Sequence, residues 1–139
     1  MNSNTECLMY LENAKAELIE EFPNNNELSN TLFLKVCDLA NEDFDGITEN
    51  KIYRNFIGVL IDIVKISFEN DASKSYLRSF FKKLNNCSFT NCLSKSMSSK
   101  SGDIKRIIDR LVYFFVYQNT SSAKEYRLNE VLNYLKAEM

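Results

Sequence analysis

The chain has 139 residues, 45% of them apolar and 26% charged, with a formal net charge of −2, which is ordinary for a soluble globular protein of one domain with a real hydrophobic core. Three Gly and one Pro are too few for the turns of a β-sandwich or barrel, so long helices are expected. The sequence holds no histidine, which excludes Ser-His and Cys-His nucleophile pairs, histidine metal ligands and the commonest general base.

The apolar pattern predicts about seven helices. The first, over residues 5–22, sets Cys7, Leu8, Leu11, Ala14, Leu18 and Phe22 on one face. Ser3 and Glu6 have the spacing of a capping box, and Pro23 with three asparagines after it ends the helix. The second, over 27–40, turns Leu28, Leu32, Val36 and Leu39 inward. The stretch that follows, NEDFDGITEN, places Asn41, Asp43 and Asp45 at alternate positions before Gly46. It resembles the opening of an EF-hand calcium loop over six residues. The twelfth position, which needs a bidentate glutamate, is Ile52, and the eighth is Thr48. An acidic interhelical turn is the better reading, in which Gly46 bends the chain, Thr48 caps the next helix and Glu49 favours its positive end.

The third helix, over 49–69, is expected to be central and mostly buried. Its non-apolar positions reduce to a narrow stripe of Lys51, Arg54, Gly58, Asp62, Lys65 and Glu69. Asp62 and Lys65, and Lys65 and Glu69, have the spacing to pair along it. Gly58 costs roughly 1 kcal/mol against alanine in mid-helix and suggests the close approach of another helix. The fourth helix, over 72–84, buries Tyr76, Leu77, Phe80, Phe81 and Leu84. A short fifth is expected over 89–97, followed by SKSMSSKSGD, read as a mobile loop. The sixth, over 103–118, has Ile104, Ile107, Ile108, Leu111 and Phe115 inside, and the seventh, over 123–139, uses Leu128, Val131, Leu132, Leu135 and Met139. The expected fold is an all-α, single-domain bundle spanning 1–139 and wrapped around the third helix.

No signal-peptide pattern opens the chain, and the apolar run FIGVLIDIVKISF, interrupted by Asp62 and Lys65, is too short to span a membrane. A cytoplasmic protein without membrane contact is expected. Cys7, Cys37, Cys87 and Cys92 read as reduced thiols, neither a disulfide framework nor a zinc site. Glycine-rich phosphate cradles are absent. No cofactor, metal or catalytic residue is expected, and the protein is read as non-enzymatic.

Charge is segregated. Residues 1–71 hold fourteen acids and five bases, a balance of −9, and residues 72–139 hold twelve bases and five acids, a balance of +7. Such asymmetry points to electrostatic partners. An acidic candidate surface comprises Glu42, Asp43, Asp45 and Glu49, with Glu12 and Glu20 on the same anionic half. A basic and aromatic one comprises Lys74, Arg78 and Lys82 on the fourth helix and Arg106, Arg110, Tyr113 and Tyr117 on the sixth. The plainer alternative is that these basic stripes are solvated or pair with the acidic half. The leading expectation is a cytosolic inhibitor, such as an immunity protein that neutralises a toxin, possibly a nuclease, by protein-protein contact through its acidic surface. One alternative is a helical nucleic-acid-binding subunit of a ribonucleoprotein complex using the basic region 74–110. A further one is a viral interaction protein of the Bcl-2-like kind, whose target would be a host factor.

Overall fold

The computed structural model describes residues 3–42, 46–85, 98–117 and 124–139. Among them are six α-helices and no strand: α1 (Ser3–Glu21), α2 (Asn26–Ala40), α3 (Glu49–Glu69), α4 (Lys74–Leu84), α5 (Ser101–Tyr117) and α6 (Lys124–Glu138), with 3-10 turns at Pro23–Asn25 and Ser98–Lys100. The all-helical expectation holds among the described residues, which contain six helices. The helix expected over 89–97 lies outside the described residues, as do Cys87 and Cys92.

Local chemistry explains the boundaries. Thr48 caps α3, its hydroxyl accepting from the Lys51 amide at 3.3 Å, and Ser73 caps α4 in the same way through the Tyr76 amide at 3.1 Å. At the far end of α3, Ala72 N–H donates to the Ser67 carbonyl at 3.0 Å and Asp71 N–H to the Phe68 carbonyl at 3.2 Å. This is a Schellman turn, and its left-handed position is taken by Asp71 at φ 54°. Gly46, at φ 77°, supplies the bend before α3. Helix α1 begins at Ser3, which places that residue inside the helix and not before it. The serine-rich stretch read as a loop is helical in its last part, since Ser98–Lys100 form a turn and α5 starts at Ser101.

The close helix pairs are α1 with α2, α2 with α3, α3 with α6, and α4 with α5. The third helix is therefore broadly buried without being a hub ringed by all the others. Its expected stripe is correct: Lys51, Arg54, Asp62, Lys65 and Glu69 are exposed, while Ile52, Phe56, Ile57, Leu60, Ile63 and Val64 are core. The expectation for Gly58 is not met. A Cβ added there meets nothing within 4 Å, so no helix needs its smallness. Met139, expected inside, is 51% exposed.

A run of aromatic rings crosses the core. Phe33 of α2 meets Phe80 edge-on at 5.1 Å between centroids, Phe80 meets Phe81 at 5.2 Å, and Phe81 stacks on Phe115 of α5 at 5.9 Å. Phe115 in turn lies 6.4 Å from Phe68 of α3. Offset and edge-on rings each add a fraction of a kcal/mol to about 1.5 kcal/mol beyond area burial. One polar pair is set in this core. Ser29 Oγ and Tyr76 Oη, both on residues fully buried, lie 2.8 Å apart. Burial raises the Tyr76 phenol above its usual pKa, against the hydrogen bond from Ser29.

Candidate functional site

Two surfaces follow from this packing. The first belongs to the α1–α2 hairpin. The core takes Cys7, Leu11, Ala14 and Leu18 from α1, which leaves the other side of that helix in water. There Met9 is 62% exposed, the most exposed large apolar side chain described. It lies in a shallow depression of about 310 Å³ with Thr5, Leu8, Glu12 and Asn13. Glu6, three residues before Met9, is also exposed and shares its face by helical spacing. Across the hairpin, Glu12 and Asp38 both act on Cys37, whose thiol is raised by burial first and by these carboxylates second. A thiol so raised is a weak nucleophile. Glu6, Glu20, Glu27, Asp38 and Glu42 are exposed and form no ion pair with another described residue.

Of the expected acidic site, the described residues include Glu42 and Glu49. Glu42 is exposed at the end of α2. Glu49 is half-buried at the start of α3 and accepts from the Ser99 hydroxyl. Asp43 and Asp45 lie outside the described residues. What composition alone missed is the apolar anchor. Its signal was present in Met9, an apolar residue off the core-facing stripe of its helix.

The second surface runs along α4, α5 and α6. Lys74, Arg78 and Lys82 share a side of α4, with Lys82 exposed and the other two half-buried. Lys74 lines a cleft of about 250 Å³ with Phe68, Asp71, Leu77 and Phe115. Their neighbour Lys83 turns to α1, where its ammonium lies 3.5 Å from Glu17 and 3.8 Å from Glu21. The Lys83 carbonyl accepts from the Tyr10 hydroxyl at 2.6 Å, and Ser79 donates to Glu21. Part of the basic charge is thus spent inside the fold, joining the two oppositely charged halves.

Arg106 is spent likewise. Its guanidinium donates to both carboxylate oxygens of Glu138, at 2.9 and 3.0 Å, and to Asp103 at 3.1 Å. These hydrogen bonds raise the Arg106 pKa and hold the Glu138 carboxyl below its ordinary value. Beside them Tyr53 is raised to about 12 by burial, with the Glu138 charge adding to it, and Lys100 rests 5.2 Å from the centre of its ring. Arg110 differs. It is exposed, forms no ion pair with a described residue, and lies over the rings of Tyr113 and Phe114 at 5.1 and 5.3 Å. Tyr113 is 49% exposed. The side chain of Tyr117 lies outside what the structure describes.

Helices α5 and α6 are not a close backbone pair. They meet through long side chains, among them Arg106 against Glu138 and Phe114 against Tyr134 at 5.7 Å between centroids. The space left is an open groove of about 470 Å³ lined by Arg106, Asp109, Arg110, Tyr113 and Tyr134. Tyr134 and Asp109 were not anticipated as site residues, since neither position on its helix is marked by pattern alone.

Among the described residues no group of three or more Cys, Asp and Glu side chains could hold a metal ion, and no helix is long and apolar enough to cross a membrane. Neither Cys7 nor Cys37 is in a disulfide. Asp62, the one carboxylate set in an apolar run, points into water on the exposed stripe of α3. No protein-family model matches the chain, and comparison with curated proteins and with solved structures finds no match.

Proposed function

We propose that the protein acts by binding, engaging a basic partner protein through the acidic side of the α1–α2 hairpin, as an inhibitor of a toxin would. The carrying observation is Met9, 62% exposed in an apolar depression with Glu6 and Glu12 beside it. Protein interfaces are built in this way, with an apolar centre inside a polar rim. Methionine suits the centre because its flexible thioether adapts to the surface it meets. The carboxylates steer a basic partner and speed association. A nuclease, whose active site is basic to receive phosphate, belongs to the class of partner that fits.

The test is affinity capture from native cells with and without nuclease treatment, using the wild-type chain, Met9→Glu and the double variant Glu6→Lys with Glu12→Lys. The expected result is a stoichiometric protein that survives nuclease and is lost with either variant. A partner held equally by all three chains, or released by nuclease, would overturn the reading. Each substitution is on an exposed position, so the fold should be retained, and circular dichroism checks this.

A further inference from the structure

We propose that the groove between α5 and α6 is a second binding site, taking an acidic peptide segment of a partner protein whose carboxylate is held by Arg110. This surface is independent of the α1–α2 face. Three observations lead to it. The Arg110 guanidinium is exposed, has no carboxylate partner among the described residues, and is backed by the rings of Tyr113 and Phe114. A guanidinium resting against aromatic rings keeps its planar set of N–H donors, which suits a bidentate bond to a carboxylate. Tyr113 is 49% exposed beside it and offers a flat wall to an apolar or aromatic neighbour in the peptide.

The local charge decides the kind of anion. Arg106, the other cation in the groove, is matched by Asp103 and Glu138. Asp109, which accepts from the Asn85 side-chain amide, adds a further negative charge to the lining. A phosphate backbone offers only acceptors and repeats its charge, so it would meet Asp109 with repulsion and find one guanidinium unspent. A peptide offers both chemistries: a carboxylate for Arg110 and backbone N–H donors for Asp109. The groove is also open to solvent. Small-molecule sites enclose most of their ligand, whereas an open groove fits a segment laid across the surface.

The test uses fluorescence anisotropy with the full chain and a labelled peptide, acetyl-Gly-Phe-Glu-Phe-Gly-amide, alongside a labelled thymidine oligonucleotide. The expected result is saturable binding of the peptide, absent when its Glu is replaced by Gln. Arg110→Gln should weaken binding about tenfold or more, as loss of a charge-assisted bond does. Arg110→Lys should also weaken it, because the planar fork is lost. Lys105→Gln removes an exposed base from the same helix and should change nothing. Three outcomes overturn the proposal: no saturable peptide binding, the same affinity with Arg110→Gln, or an equal loss with Lys105→Gln. Tighter, Arg110-dependent binding of the oligonucleotide would also overturn it and assign the groove to nucleic acid.

Discussion

Helices α4 and α5 meet through stacked rings, whereas α5 and α6 are tied at the surface by an ion pair. In the first region Phe81, fully buried, lies almost parallel to Phe115. In the second, Arg106 and Glu138 grip one another with side chains 51% and 21% exposed. The ring contact of the first joint is insensitive to pH and salt, because neither ring titrates and burial is its source. The second is weak, screened by ions and reversible. It is beside this second joint that the groove with Arg110 opens. The buried joint and the exposed one thus share one helix, α5.

The largest expected effect breaks the first joint. Phe81→Ala leaves a ring-sized cavity and should cost about 3–5 kcal/mol, read as a lowered urea midpoint with an unchanged slope. A loss under about 1 kcal/mol would mean that the rings do not carry this region. Next comes Tyr76→Phe, which strands the Ser29 hydroxyl and should cost about 1–3 kcal/mol. The double variant with Ser29→Ala should recover part of that loss, because no polar atom is then left buried alone. On the exposed edge of α3 the sign reverses. Gly58→Ala meets no atom within 4 Å and should stabilise by roughly 1 kcal/mol through helix propensity.

The smallest effect belongs to the surface clamp. Glu138→Gln should cost no more than about 1 kcal/mol at neutral pH, and less in high salt. Its pH dependence has a definite sign. The Arg106 bonds lower the Glu138 carboxyl below 4.5. The stabilisation is therefore complete above the unfolded value and disappears as pH falls through the folded one. Thermal melts of the wild type and the variant should converge in acid. A difference that persists there would make the clamp something other than an ion pair.

Helix α3 was legible to its ends, because Thr48 caps it and a long apolar run is cut by a single stripe of polar positions. The start of α5 was not, because Ser98, Ser99, Lys100, Ser101 and Gly102 have the composition of a loop. The contacts that accompany their helical geometry reach α3, Ser99 to Glu49 and Lys100 to Tyr53, and sequence spacing does not mark them. Gly58 invited an inference of close packing that its position on the exposed stripe removes. The charge asymmetry was visible as a count, yet a count cannot say which charges are spent. Arg106 and Arg110 are one turn apart on the same helix and look alike in sequence. The first is neutralised by Glu138, thirty-two residues away, a pairing that only the placement of α6 creates. The second stays unpaired among the described residues. Met9 went unmarked in the sequence because one apolar residue off the core face is commonplace.

The Ser29–Tyr76 bond has a consequence beyond its own strength. Most of this core is aliphatic and aromatic, Ser67 bonding only within its own helix, and apolar side chains tolerate sliding, since one apolar contact replaces another at little cost. Two hydroxyls buried opposite one another do not. If α4 were to shift by a turn along α2, both would be left in an apolar medium without a partner, at about 1–3 kcal/mol each. That penalty reduces slipped packings by about one to four orders of magnitude in population. The pair acts as a keyway between the two helices, favouring one alignment out of several that the apolar residues alone would accept.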